Sequence, residues 1–504
     1  MSSWWCLGAA NILRRGRTSL LLVLHHPRRW KKTKKKWQAT RTERKLEPSF
    51  NALQHFDQNY SLQFGDAWPS IRLGLLSPQK YGALVNNYGI LEDTEDFLET
   101  LGARDFVQPA AGELGKMVDV NVLEEALISE TDSGSESSDE ENRCQGEVDV
   151  SNLSQVARDN LNDMHQGQLN RLGQLSVNEK SFEPDRLKSA SDQKKPWEEK
   201  YIVTPGYEAK MEILMSSDAL RDQGLDSNPA IPEMDIHHIQ RPLAISHHLK
   251  CFIFDSGNSQ RFPPSKMDSR GFFLQYYAMD AASVLPVIAL DVRPQDLVLD
   301  MCAAPGGKTL AIVQTLLAGG LVANEPEAAR RRRLQNVLRS YIGFDKRSSE
   351  EVRITAEDGC RWGVLEPDTY DKVLVDVPCT TDRLSATSND NSIFAISRTN
   401  ERWELFKLQS DLLCAGLQAV KAGGDVVYST CSLSQQQNDA VIESALYHCQ
   451  MENIEADVVD LSPLTQCLGH VFKFSEGMKH GQLVLPNIKN NFGPMYFCKL
   501  HRVK

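Results

Sequence analysis

The chain has 504 residues, of which 41% are hydrophobic, and its net charge at neutral pH is −11. That length exceeds one ordinary domain, so we expect either several domains or one large domain with extensions. Its eleven cysteines include no C-x-x-C pair, which argues against both a zinc site and a disulfide framework. The nearest approach to a membrane span, Leu20–Leu24, is far too short to cross a bilayer.

Residues 1–42 are strongly basic and contain no acidic residue. Arg-rich, acid-free sequence with Ser and Leu is typical of a mitochondrial presequence, so we predict import into the mitochondrial matrix. A secretory signal fits poorly, because "HHPRRW" follows the apolar run where small residues would be expected. A basic RNA-binding arm remains the alternative. Without the eleven positive charges of this segment, the net charge falls from −11 to −22.

Two further segments precede the region where strands and helices alternate. Residues 43–111 place aromatic and leucine residues at helical spacing and are predicted to be a small helical segment. Residues 112–235 are predicted to be a mostly disordered insertion. Between Asp119 and Asp149 this insertion has eleven acidic residues against Arg143 alone. Such sequence cannot bury enough apolar area to offset the entropy of ordering the chain. A solvated charge run is favoured over an acidic interaction tail.

Residues 236–504 alternate short β-branched runs with longer amphipathic ones. The predicted strands are "LVLDMCA", "GLVANE", "EVRITAEDG", "YDKVLVDVPC" and "GDVVYSTCS". Nearly continuous apolar strands separated by helices predict an α/β fold, a doubly wound and mostly parallel sheet covered on both faces. The final stretch, "GQLVLPNIKNNFGPMYFCKL", predicts two closing strands without a helix between them.

A glycine turn follows the first of these strands and contains Gly306, Gly307 and Lys308. A phosphate-binding P-loop needs glycine five residues before Gly307, and Cys302 stands there, so an NTPase is disfavoured. The turn suits a nucleoside cofactor at the carboxyl end of the sheet. Glu325, after the next strand, is placed to hold ribose hydroxyls. Asp358, followed by Gly359, is placed after the third strand to accept from an adenine amino group, although helix capping would explain either acid.

Two cysteines follow the fourth and fifth predicted strands: Cys379, three residues after Asp376, and Cys431. The carboxyl ends of neighbouring parallel strands meet at one edge of a sheet, so we expect these thiols to lie close together. The motifs "DMCAAPGGKT", "DVPCT" and "YSTCS" resemble those of the Nop/Sun family of RNA cytosine-5 methyltransferases, and the resemblance extends over residues 249–503. DNA cytosine methyltransferases also carry a Pro-Cys pair, but "TCS" on the next strand favours the RNA type.

The resemblance implies a class I, Rossmann-like methyltransferase that uses S-adenosylmethionine. In that family the TCS cysteine, here Cys431, adds to carbon 6 of cytosine, and Cys379 assists release of the methylated product. Asp376 would hydrogen-bond the base and contact the cofactor, with Gly306, Gly307, Lys308, Glu325, Asp358 and Gly359 as the other cofactor-binding positions. The family usually has Asp at the Glu325 position. The target base must be unstacked to reach such a pocket.

The stretches "FGDAWPSIRLGLLSPQKYGALVNN" and "NFGPMYFCKL" resemble the mitochondrial member that acts on small-subunit ribosomal RNA. This resemblance implies mitochondrial ribosomal RNA as substrate, assembling mitoribosomal particles, and a partner of the mitochondrial termination-factor (mTERF) family. A partner would supply positive surface that the acidic chain lacks. The alternative function is a ribosome-assembly scaffold whose catalysis is dispensable. The arginine run Arg330–Arg333 predicts either RNA contact or an exposed helix face.

Overall fold

The computed structural model describes residues 47–116, 234–343 and 352–504. The predicted presequence lies outside these residues, as does nearly all of the predicted acidic insertion, so both stay predictions. None of the described helices is long and apolar enough to cross a membrane.

A large mixed sheet is formed by strands within residues 238–502. Its strands lie in the order β3-β11-β13-β10-β9-β6-β7-β8, and β12 pairs with β13. Their bounds are β3 His238–Ile239, β6 Leu297–Asp300, β7 Gly320–Asn324, β8 Val352–Thr355, β9 Tyr370–Asp376, β10 Val420–Thr430, β11 Ala456–Val459, β12 Gln482–Val484 and β13 Met495–Arg502. The run from β8 to β10 is parallel, whereas β13 is antiparallel to β10 and β11. The predicted doubly wound, mostly parallel sheet is therefore confirmed.

A second, smaller sheet is antiparallel and has the order β2-β4-β1-β5. Its strands are β1 Gly82–Val85, β2 Ala103–Asp105, β4 Cys251–Phe254 and β5 Tyr276–Met279. Strands β1 and β2 lie in the segment predicted to be helical, so that prediction was incomplete. Their hydrogen-bonding partners are far away in the chain, and sequence periodicity over a short window carries no information about such pairing.

Helices surround the large sheet and connect its strands. Their bounds are α1 Pro48–Phe64, α2 Trp68–Leu76, α3 Leu91–Thr100, α4 Leu285–Leu290, α5 Gly307–Gln314, α6 Ala328–Ile342, α7 Trp362–Leu365, α8 Asp382–Thr387, α9 Thr399–Ala419, α10 Asp439–Met451 and α11 Ser462–Leu468. Helix α6 shows why these segments fold as helices. Leu334, Leu338 and Tyr341 are buried at spacings of four and three residues, and they form one apolar stripe.

The core has two layers, one on each face of the large sheet. Along β6, Val298 packs into the layer that contains Leu310 of α5, whereas Leu297 and Leu299 pack into the layer that contains Leu412 of α9. This alternation follows from the two-residue period of side chains along a strand. Because both faces are covered, the free surface for a ligand is at the ends of the strands.

Candidate active site

The glycine turn connects β6 to α5 at the carboxyl edge of the sheet. Gly306 has a φ of 113°, and a Cβ there would lie 3.1 Å from Cδ1 of Leu334. A Cβ on Gly307 would lie 3.2 Å from Cε1 of Tyr277. The turn is thus pressed between α6 and the small sheet, and only glycine combines this backbone conformation with this close approach.

A cavity of ≈ 140 Å³ opens beside the turn. Of the predicted residues, Gly307, Lys308 and Asp376 line it, together with Asp300 and Tyr277, which sequence reasoning did not select. Asp300 could have been selected from the sequence, because it ends a buried apolar strand and a buried carboxylate is unusual unless it has a ligand or a partner.

Asp300 is buried, and its Oδ2 accepts a hydrogen bond from Oγ1 of Thr309 at 2.7 Å. Its Oδ1 accepts no hydrogen bond of ordinary geometry from the described residues. Burial raises the pKa of Asp300 to about 7, and the nearby carboxylate of Asp376 adds to this rise. A buried oxygen without a donor is costly, so this oxygen is available to a ligand that carries a positive charge or an N–H group.

Glu325 and Asp358 follow the next two strands, β7 and β8. Glu325 is buried, and its Oε2 lies 3.2 Å from the Arg330 guanidinium, which also donates to the carbonyl of Ala304 in the glycine turn. Arg330 therefore pairs within the protein, while Arg332 and Arg333 are exposed, which fits both an RNA contact and an exposed helix face. Two carboxylates beyond neighbouring strands match the arrangement that holds the nucleoside part of a cofactor in doubly wound folds.

The structure gives Asp358 and Gly359 local roles that the sequence left open. Asp358 is exposed, and its Oδ1 accepts from the backbone N–H of Cys360 at 3.1 Å, so it caps a short 3₁₀ turn. Gly359 is buried, and a Cβ there would lie 2.5 Å from Cδ2 of Leu412. Capping and packing account for both residue types, and contact of this loop with adenine stays a prediction.

Strands β9 and β10 bring the two predicted cysteines together. Asp376 and Ser429 pair across the two strands, and the Sγ atoms of Cys379 and Cys431 lie 3.0 Å apart just beyond the strand ends. Cys379 is buried and Cys431 is half-buried. The hydrogen bond shared with the Cys379 sulfur, together with burial, raises the pKa of Cys431 well above its usual range, while Lys308 opposes that rise. Cys431 is thus held as a thiol until its surroundings change.

Asp376 connects the thiols to the glycine turn. Its Oδ2 accepts from Nζ of Lys308 at 2.9 Å, and its Oδ1 accepts from Oγ of Ser429 at 2.8 Å. Burial alone would lower the pKa of Lys308, but its ion pair with Asp376 raises it instead, so the ammonium group stays charged. Lys308, which lines the cavity, is therefore joined through Asp376 to Ser429, two residues before Cys431.

The strand order, the glycine turn and the carboxylates beyond successive strands together define a class I S-adenosylmethionine-dependent methyltransferase. Residues 287–501 match the family model described as 16S rRNA methyltransferase RsmB/F. The mouse 5-cytosine rRNA methyltransferase NSUN4 is 39% identical over 502 residues, which is 98% of this chain and 100% of the relative. The Xenopus tropicalis protein of that name is 40% identical over 494 residues, or 98% of each chain.

A more distant relative is the Danio rerio mitochondrial tRNA (cytosine(34)-C(5))-methyltransferase. It is 38% identical over 258 residues, which is 51% of this chain and 67% of the relative. The chain therefore belongs to the Nop/Sun family of S-adenosylmethionine-dependent RNA cytosine-5 methyltransferases, as the three motifs indicated.

Proposed function

We propose that this protein methylates carbon 5 of a cytosine in the RNA of the mitochondrial small ribosomal subunit. The observation that carries the proposal is the pair of thiols 3.0 Å apart at neighbouring strand ends, with Asp376, which lines the cavity, three residues before Cys379. Relatives that match nearly the whole chain bear the name of rRNA cytosine-5 methyltransferases, which supports ribosomal RNA as the substrate.

Cys431 is the proposed nucleophile. Its thiolate adds to carbon 6 of the cytosine, which makes carbon 5 electron-rich enough to accept a methyl group. Asp376 would hydrogen-bond the ring nitrogen or the amine of the cytosine and so stabilise the charge that builds as sulfur adds. The proton on carbon 5 then leaves to a base, and the carbon–sulfur bond breaks, which releases Cys431. Cys379, in contact with the attacking sulfur, assists this release.

The residues that would hold S-adenosylmethionine are those around the turn and beyond the following strands: Asp300, Gly306, Gly307, Lys308, Glu325, Asp358, Gly359 and Asp376. When bound, the cofactor supplies an electrophilic methyl group. The cationic cofactor would also favour the thiolate form of Cys431, because a nearby positive charge lowers the pKa of a thiol. In this scheme Cys431 becomes reactive when cofactor and substrate are both present.

Separate alanine variants of the two cysteines test the proposed roles. Cys431→Ala should form no covalent complex with RNA. Cys379→Ala should accumulate a protein–RNA adduct that survives denaturing electrophoresis, because addition proceeds while release fails. The assay combines purified protein, S-adenosylmethionine and small-subunit ribosomal RNA. An adduct formed by Cys431→Ala and absent from Cys379→Ala would reverse the two roles.

The finer parts of the proposal concern location and partner. The acid-free residues 1–42 support import into the mitochondrial matrix. The remaining charge of −22 disfavours unaided binding to RNA phosphates. We therefore propose that a basic partner, of the mTERF family, delivers the protein to assembling small subunits. Bisulfite sequencing of mitochondrial RNA should lose one methylcytosine when the gene is deleted; an unchanged pattern would contradict this substrate.

A further inference from the structure

A buried carboxylate stands between the two loops that carry the cysteines. Asp382 begins α8, three residues after Cys379, and is completely buried. Its Oδ1 accepts from the hydroxyl of Thr380, and its Oδ2 accepts from the backbone N–H of Leu433 at 2.7 Å. The hydroxyl of Ser432 also lies within 3.3 Å of Oδ2. The Asp382 side chain is thereby hydrogen-bonded to Thr380, which follows Cys379, and to Ser432 and Leu433, which follow Cys431.

Helix α1, from the opposite end of the chain, completes this arrangement. The hydroxyl of Tyr60 donates to Oδ2 of Asp382 at 2.8 Å, and the Tyr60 ring stacks on Phe56 at 5.1 Å. One turn later, Nε2 of Gln63 donates to the carbonyl of Leu433 at 2.8 Å. Both α1 residues thus bond the Asp382 side chain or the loop that follows Cys431, and the Tyr60 ring is held by its stacking on Phe56.

We propose that Asp382 is a positioning residue for methyl transfer, and that Tyr60 and Gln63 of α1 hold it and the loop after Cys431 in place. The inference rests on the proposed roles of the two cysteines. Its physical basis is that the sulfur atoms lie on two loops 52 positions apart in sequence. No strand pairing extends to them, because the β9–β10 register ends at Asp376 and Ser429. Beyond that point the loops are joined by the Asp382 hydrogen bonds and by a direct contact between the hydroxyls of Thr380 and Ser432 at 2.9 Å.

The chemistry of the site favours this assignment over simple filling of the core. Burying a carboxylate costs several kcal/mol unless donors surround it. Burial raises the pKa of Asp382, while its hydrogen bonds to Leu433, Thr380, Tyr60 and Ser432 act in the opposite direction. Four donors from two loops and one helix converge on it, and an apolar residue of similar size would connect none of them. Misplacement of a reacting group by about 1 Å can lower a rate by roughly 100-fold, so such a connection matters to rate.

The test removes one hydroxyl at a time. Tyr60→Phe keeps the ring and its packing but deletes the donor to Asp382. Tyr370→Phe is the matched control, because Tyr370 is also fully buried and its hydroxyl also donates to a carboxylate, that of Glu366, at the far end of β9 from Asp376. Asp382→Asn is the stronger perturbation, since an amide nitrogen cannot accept from the donors that now converge on one oxygen.

Two readouts separate positioning from stability. In steady-state kinetics, we expect kcat to fall about 5-fold in Tyr60→Phe and about 50-fold in Asp382→Asn, with the KM for S-adenosylmethionine unchanged, because the glycine turn is not involved. The second readout needs no activity. Diamide takes two electrons and two protons from the Cys379 and Cys431 thiols and leaves a disulfide between them, which peptide mapping by mass spectrometry quantifies. We expect this cross-link to form several-fold more slowly in Tyr60→Phe than in wild type or Tyr370→Phe.

The outcomes are distinguishable. Equal cross-linking rates and equal kcat in Tyr60→Phe and Tyr370→Phe would overturn the positioning role. If Asp382→Asn does not fold, the comparison of Tyr60→Phe with Tyr370→Phe still tests the positioning role. Failure of the proposed function would appear instead in the wild-type protein, as absence of methylcytosine in the RNA, whatever the cross-linking rates of the variants.

Discussion

The titration of Asp300 offers a quantitative test of the site. Its pKa rises from 3.8 in the unfolded chain to about 7 in the folded protein because the carboxyl is buried. The folded state therefore holds this proton more tightly than the unfolded state does. The stabilisation is complete below pH 3.8 and is lost as the pH rises through about 7. A shift of about three pKa units corresponds to about 4 kcal/mol, of which roughly 2.5 kcal/mol falls between about pH 5 and pH 8.

Asp300→Asn removes this titration while keeping an oxygen to accept from Thr309. We expect the free energy of unfolding of wild type to fall by roughly 2.5 kcal/mol more than that of the variant between about pH 5 and pH 8. Other titrating groups are common to both proteins and cancel in this difference. The measurement is urea denaturation at the two pH values without S-adenosylmethionine, because a ligand that binds the folded state adds stability of its own.

An exposed carboxyl provides the control for this comparison. Asp390→Asn, on the surface, should change stability by the same small amount at both pH values. If Asp300→Asn and wild type lose equal stability over the range, then Asp300 is not protonated in the free protein. The interpretation of its hydrogen-bond-free oxygen as a ligand site would then lose its main support.

Two further substitutions test the charges around the site and at the opposite end of the sheet. Lys308→Met removes the ammonium group that opposes the raised pKa of Cys431. When it is combined with Cys379→Ala, which accumulates the adduct, adduct formation should slow about 10-fold near neutral pH and its optimum should move to higher pH. An unchanged pH profile of adduct formation would contradict this. Asp425→Asn leaves the buried ammonium group of Lys372 without its carboxylate and leaves that of Lys499 with Asp291 alone, at 3.7 Å. It should lower the free energy of unfolding by about 3–5 kcal/mol. Urea denaturation measures this loss, and a change below about 1 kcal/mol would contradict it.

Much of the catalytic edge could be predicted from the sequence. The apolar runs before Asp300, Asp376 and Cys431 are long and β-branched, so their assignment as parallel strands was secure. Once the strands are parallel, the proximity of Cys379 and Cys431 follows from geometry. The sequence also identified the glycine turn as unsuited to phosphate, because Cys302 occupies a required glycine position.

Other features could not be read from local patterns. The strand β11 was not predicted, because Asp457 interrupts its apolar residues and Asp460 directly follows them. The pairing of Leu84 with Cys251 joins distant parts of the chain, and nothing in either stretch specifies the other. Tyr60 and Asp382 illustrate the same limit at the level of side chains. Each looks unremarkable in its own segment, and their contact exists only after the whole sheet has formed.

The small sheet also limits which fragments of the chain we expect to fold on their own. A fragment starting at residue 236, where composition places a boundary, would contain every motif yet lack β1, which lies between β4 and β5. It would also lack α1 behind the thiol-bearing loops. The minimal autonomous unit therefore comprises two pieces of polypeptide separated by more than a hundred residues. In this protein, truncation experiments must be designed around strand neighbours rather than around sequence order.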